Sequence, residues 1–246
     1  MNKILCEQLA LDYCCTAAEV CDGENRFTEH RLLEGRRRWM EKGPCFLKIA
    51  LVNGKLLVTG QPEIVAWCRE RYGDCGSAWF FEPETMRELD ARLHEDGWKI
   101  ESAHPFFLPS GRSTVRTEGW QIRWSESAEI EPFRGEGRYG EAFCFCPEAP
   151  DVLGAAAVRE GRILGMAGAS ADSPTMWQIG INVEKSKRNG GVGQTLVALL
   201  AGEILRRGVL PFYGTSFSHL SSQRVALGAG FLPAWVELTA AAKIGN

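Results

Sequence analysis

The sequence has little that would take it out of water or onto a polyanion. No apolar run approaches the roughly 20 residues that cross a bilayer. Residues 1–15 contain Glu7 and Asp12, where the apolar centre of an export signal would be continuous, so no signal peptide is expected. Charge of one sign is also lacking: 28 Lys+Arg against 31 Asp+Glu leave a net charge of −3. That balance argues against nucleic acid as a partner, and Arg36-Arg37-Arg38 reads as a solvated helix face. Histidine is scarce, with four scattered residues, and the nine cysteines show no paired C-x-x-C spacing, so no metal site is expected. An odd number of cysteines without an export signal points to reduced, buried thiols in a cytoplasmic protein. Disorder is excluded by a composition that is 45% hydrophobic and 24% charged.

What is present is enough chain, 246 residues, for one large domain or two small ones. Residues 1–42 read as mostly helical, with a charged helix through Arg31-Leu32-Leu33-Glu34. Two β-rich runs within residues 46–58 flank Asn53-Gly54, a strong hairpin signal. Pro62 opens a helix that Gly73 stops, and Pro83, Met86, Leu89 and Leu93 define another that ends at Gly97, followed by a short strand at 98–102. Pro, Ser, Gly, Thr and Arg then dominate residues 105–119, the chemistry of a linker. The boundary is placed there, giving an N-terminal α+β domain, residues 1–115, and a second domain, residues 116–246. Nothing in the first names a catalyst: Glu24, His30, His94 and His104 read as surface or satisfied core residues.

In the second domain Trp120, Ile122 and Trp124 alternate as a strand, residues 125–146 suggest short helical turns around Pro132-Phe133, and residues 153–170 form a hairpin about Glu160-Gly161. The decisive stretch follows. Ile179, Ile181 and Val183 alternate with polar or small residues, Gly190, Gly191 and Gly193 make a turn, and Val192, Leu196, Leu199, Leu200 and Ile204 recur at helical spacing. Arg206, Arg207 and Gly208 end that helix. Such a strand, glycine turn and helix can bind phosphate, because the first N–H groups of a helix lack intrahelical partners and sit at the positive end of its dipole. A strand at 210–217, a helix capped by Ser218 and a closing strand at 232–238, restricted by Pro233, complete the pattern.

Two glycine motifs do not fit. Gly193 is followed by Gln194-Thr195 and not by Lys-Ser/Thr, and Leu196 stands where a dinucleotide fingerprint needs glycine or alanine. Arg188-x-x-Gly191-x-Gly193 instead resembles the acyl-CoA pyrophosphate motif of the GNAT N-acyltransferase superfamily, and residues 219–231, His-Leu-Ser-Ser-Gln-Arg-Val-Ala-Leu-Gly-Ala-Gly-Phe, are similar to its second signature. The resemblance covers about half the chain. It implies an α/β (α+β) fold in which a mixed sheet flanked by helices splays to admit the cofactor, and it admits the N-terminal domain as a degenerate GNAT-like half.

It further implies acetyl-CoA as cosubstrate and a primary amine as acceptor, without a metal. Backbone groups of Ile181, Asn182 and Val183 would meet the pantetheine arm, while Arg188, Asn189, Gly190, Gly191, Val192, Gly193 and Gln194 would hold the pyrophosphate, with His219 and Ser222 beside the arm. The chain departs from the family pattern at three points. Trp177 and Gln178 stand where a glutamate base is common, Ala226 replaces a tyrosine acid, and His219 replaces an asparagine. His219, Tyr213 and Gln178, the last as a water-orienting group, are the catalytic candidates, and the base stays unassigned. Missing catalytic groups also leave open a CoA-binding sensor or interaction module. The acceptor could be a small molecule, an antibiotic, a peptide N-terminus or a protein lysine, no membrane partner is expected, and a homo-oligomer is compatible with the sequence.

Overall fold

The computed structural model describes residues 1–37, 45–111, 119–188 and 190–243, so Arg38, Asn189 and residues 112–118 of the expected linker lie outside the described residues. The architecture is mixed α/β, with ten strands and seven α-helices among the described residues. By contact the chain forms two compact units: one holds the chain up to Phe106 and takes back the residues from Ala234 onward, and the other comprises Phe107–Pro233 with a short piece before it.

The first unit begins with α1 (Lys3–Asp12), whose first turn is capped by the Asn2 side chain, and α2 (Ala17–Cys21), which opens on a Thr16/Glu19 capping box. Strand β1 (Arg26–Glu29) follows, and no helix passes through residues 31–34. The backbone there is taken by another partner: the Arg31 N–H donates to Cys14 Sγ, and that thiol donates to the Arg31 carbonyl. Arg37 is buried rather than on a solvated face.

Strands β2 (Leu47–Val52) and β3 (Lys55–Gly60) form the expected hairpin, Asn53 and Gly54 taking φ of 50° and 82°. Helices α3 (Pro62–Tyr72) and α4 (Pro83–Glu95) each carry proline at their start, as expected. The strand after them, β4 (Trp98–Pro109), extends beyond the short segment expected. Strand β10 (Phe231–Ala242) pairs antiparallel with β2 through Trp235↔Val52 to Thr239↔Lys48. Ile49, Ile64, Cys68, Leu89, Leu93 and Leu238 share one core. All nine cysteines are free; Cys6, Cys14 and Cys68 are buried as expected, whereas Cys21, Cys75 and Cys144 are exposed.

In the second unit the strand order is β9-β8-β7-β6-β5, comprising β5 (Gln121–Glu126), β6 (Asp151–Arg159), β7 (Arg162–Ser170), β8 (Met176–Val183) and β9 (Leu210–Gly214). Between β5 and β6 lie α5 (Ser127–Ile130) and two short 3-10 turns, and α6 (Val192–Arg206) and α7 (Leu220–Gly228) flank β9 in sequence. Alternation sorts the strand residues: Leu153, Ala155 and Ala157 meet Leu196, Leu200 and Ile204 of α6, while Ala156 and Met166 meet Ile130, Tyr139 and Phe143. Alanines on the α6 side let the helix lie close to the sheet.

Two ends differ from expectation. His219, not Ser218, is the N-cap of α7, because the Ser218 hydroxyl is paired with Ser216 at 2.9 Å. Strand β9 stops at Gly214 because the carbonyls of Ser216 and Phe217 accept from Gln223 Nε2. The final strand, β10 (Phe231–Ala242), is longer than expected at both ends and includes Pro233 near its start.

Arg207 fixes the end of α6, donating to Glu126 at 2.6 and 3.1 Å and to Glu203 at 2.9 Å. The guanidinium of Arg206, then that of Arg207, holds the Glu203 carboxyl down from the usual 4.5 to about 2, and Arg207 also lowers Glu126. Both carboxylates have depressed folded-state pKa values, so their stabilisation is present above the unfolded value and is lost as pH falls through the folded one. Arg207→Ala should therefore lower the urea midpoint at neutral pH, and the difference from wild type should shrink as the pH falls from about 4.5 toward 2.

Candidate active site

Strand β8 has two neighbours for only half its length. It pairs with β7 from Ser170↔Gln178 to Gly165↔Val183, but with the parallel strand β9 only from Met176↔Leu210 to Ile179↔Tyr213. From Gly180 to Val183 the β9 side of the strand has no strand partner among the described residues. The Glu184 N–H donates to the Leu164 carbonyl at 2.9 Å, continuing the ladder with β7. Since backbone groups alternate sides along a strand, those of Gly180 and Asn182 face β7, and those of Ile181 and Val183 face the opening. A cleft of about 400 Å³ occupies this opening.

The start of α6 forms its mouth. Gly191 takes φ of 80°, a left-handed conformation that glycine adopts without strain, and turns the chain into the helix. Among the described residues no side chain caps this terminus, and its first turn holds no acid, so the N–H groups of Val192, Gly193 and Gln194 are available to an anion. Lys187, Arg188 and Arg224 line the same end. Gly193 lets the helix approach: an added Cβ would meet Val183 Cγ2 at 3.2 Å and Val225 Cγ2 at 3.5 Å. Arg188 Nε donates to the Val183 carbonyl at 3.4 Å.

Tyr213 and Glu141 line the cleft as well, the first buried and the second exposed. The Tyr213 ring is 2% exposed, and its hydroxyl shares a 2.8 Å hydrogen bond with Ser222 Oγ. Burial raises the phenol pKa, and the charge of Glu141 adds to that rise. His219 lines the cleft as the exposed N-cap residue of α7.

The structure thus gathers Ile181, Asn182, Val183, Arg188, Gly191, Val192, Gly193, Gln194, Tyr213, His219 and Ser222 around one cavity. Gln178 is elsewhere: it sits in the fully paired part of β8, between Ser170 and Phe212, and does not line the cleft. Gly190 is also outside the lining, and Asn189 lies outside the described residues.

Glu141 has no counterpart among the sequence candidates. The loop that carries it crosses the backbone of two strands at glycines: a Cβ on Gly180 would come within 1.8 Å of the Glu141 carbonyl oxygen, and one on Gly168 within 2.0 Å of that of Ala142. Asn182 Oδ1 completes the seat, accepting the N–H groups of Glu141 at 3.0 Å and Ala142 at 2.8 Å. The available signal was the pair of glycines inside otherwise apolar strands.

No protein-family model matches the sequence, and no curated protein is similar to it. Solved structures are. A GCN5-related N-acetyltransferase from Kribbella flavida is 18% identical, with 66% of this chain and 74% of that one covered at a TM-score of 0.46. A GNAT-family acetyltransferase from Colwellia psychrerythraea is 13% identical, with 76% and 78% covered at a TM-score of 0.45. A Salmonella typhimurium protein determined with its cofactor acetyl-CoA is 13% identical, with 52% and 96% covered at a TM-score of 0.37.

The close approach at Gly180 makes a direct prediction. Gly180→Ala should lower stability by about 2–3 kcal/mol, as overpacking against backbone does, read as a lower urea midpoint. Ala at the open position Gly202, where an added Cβ meets nothing within 4 Å, should not destabilise and serves as the control.

Proposed function

We propose that the protein is an acetyl-CoA-dependent N-acetyltransferase acting on a primary amine. The carrying observation is the opening of β8 from β9 directly beside the uncapped, cation-flanked N-terminus of α6. The residues fit such a cosubstrate on their own chemistry. An edge whose backbone groups have no strand partner suits an extended arm with amides, and a helix terminus with Lys187, Arg188 and Arg224 around it suits a pyrophosphate. Acetyl-CoA supplies an acetyl group already activated as a thioester.

The chain's residues then divide the work. Backbone groups of Ile181 and Val183 align the arm, and the N–H of Ile181, held in the rigid ladder with β7, donates to the carbonyl oxygen as charge develops there. The acceptor amine must be neutral to react, although an alkyl ammonium has a reference pKa of roughly 10.4. Glu141, an exposed carboxylate lining the cleft, is the group we assign to take that proton. Tyr213 keeps its proton, because burial raises its pKa, and donates toward the departing sulfur. The phenol therefore comes from β9 rather than from α7, where Ala226 is buried. His219, at the N-cap of α7, lines the same cleft.

All of these groups belong to Phe107–Pro233, which we read as the catalytic part of the proposed second domain. We propose the first domain, with its hairpin, helices and strand in that order, as a degenerate GNAT-like half.

Calorimetric titration of acetyl-CoA tests the binding step. Wild type should bind, Gly191→Asp should weaken binding at least about 10-fold by placing an anion at the helix terminus, and Arg188→Ala several-fold. No binding by the folded wild type would overturn the reading. Glu141→Gln should bind acetyl-CoA like wild type but release free thiol with a panel of primary amines about 100-fold more slowly. Unchanged turnover in that variant would exclude Glu141 as the base.

A further inference from the structure

Cys6 and Cys21 meet across two helices of the first unit. Cys6 lies in α1 and Cys21 is the last residue of α2, and their sulfurs are 2.8 Å apart. That is inside van der Waals separation and within about 1 Å of the roughly 2 Å length of a disulfide bond. Neither cysteine is in a disulfide. The pair is asymmetric: Cys6 is 4% exposed, whereas Cys21 is open to solvent. One sulfur can meet a dissolved oxidant, and the second waits directly behind it.

The surroundings hold this contact in place. Thr16 and Glu19 form the capping box that starts α2. At its other end the buried ammonium of Lys55 donates to the Glu19 carbonyl and reaches the Asp22 carboxylate at 2.7 Å, and Arg26 pairs with the same carboxylate. The short helix is therefore tied to β3 next to Cys21, and its last sulfur is pinned against α1 with little backbone freedom. Burial holds the Cys6 thiol above its ordinary range, which leaves Cys21 as the first to react.

We propose that Cys6 and Cys21 are a reversible thiol–disulfide pair that responds to hydroperoxides. The Cys21 thiolate attacks the hydroperoxide, the O–O bond breaks, and an alcohol (water, from hydrogen peroxide) leaves as Cys21 becomes a sulfenic acid. The sulfur of Cys6 then attacks that of Cys21, the S–O bond breaks, and water leaves with the thiol proton as the S–S bond forms. Two thiols lose two electrons in all, and the hydroperoxide gains them. A dithiol reductant reverses the change by exchange, becoming oxidised itself. The disulfide closes a loop between positions 15 apart and restrains the unfolded chain.

The test uses the full chain, reduced and then freed of reductant, and it does not depend on acetyl transfer. After one equivalent of hydrogen peroxide, remaining thiols are alkylated and the protein is digested without reductant for mass spectrometry. The expected result is a peptide pair linked through Cys6 and Cys21, loss of two titratable thiols, restoration of both by dithiothreitol, and a thermal midpoint raised by about 5 °C in the oxidised protein. Cys21→Ser, an exposed substitution, should show no such link and leave Cys6 free for alkylation once the protein is unfolded. Recovery of Cys6 and Cys21 as separate alkylated thiols, conversion of Cys21 to sulfinic acid without a link, or a link to another cysteine would each overturn the proposal.

Discussion

The cleft exists because β8 gives up one neighbour halfway along. Buried backbone N–H and C=O groups need partners, and a strand that leaves its neighbour exposes groups that water or a ligand must satisfy. Here the parting occurs after Ile179↔Tyr213, while the ladder with β7 continues to Val183. The exposed edge is thus held rigid from behind. A flexible loop with the same free groups would lose order to meet a ligand, whereas this edge meets it already ordered.

Glycine placement follows from the same parting. Gly193 brings α6 down onto Val183, and Gly180 and Gly168 give room for the backbone of the Glu141 loop. Between them they set the two ends of the cavity, one built from helix N–H groups and basic side chains, the other from a carboxylate and a phenol. The two ends suit different chemistry: anion binding at one, proton transfer at the other. A side chain at Gly180 or Gly193 would shift backbone or helix, so the cavity's length is fixed by residues that supply no functional group.

Much of this was legible in the sequence, for local reasons. Asn53-Gly54, Pro62, Pro83 and the alternation of Ile179, Ile181 and Val183 each act within a few residues, and the structure follows them. The N-terminal half of α6 was legible because its glycines, arginine and apolar stripe are adjacent in the chain. Glu141 was not, because its seat depends on Asn182, 41 positions away, and on Gly168 and Gly180 in two other strands. Residues 31–34 misled for a similar reason: a pattern suited to a helix lost its backbone to the thiol of Cys14. Gln178 misled through register, since one step along β8 separates paired backbone from the open edge, and Gln178 lies on the paired side.

The unequal ends of the cavity bear on how fast a ligand arrives and how long it stays. Lys187, Arg188 and Arg224 are solvent-facing charges, and their pull on a polyanion reaches only about 10 Å in 0.1 M salt. The amide dipoles at the start of α6 are fixed in the helix and act at contact, where counter-ions do not intervene. Capture should therefore slow steeply as ionic strength rises, while the escape rate of a seated polyanion should barely change.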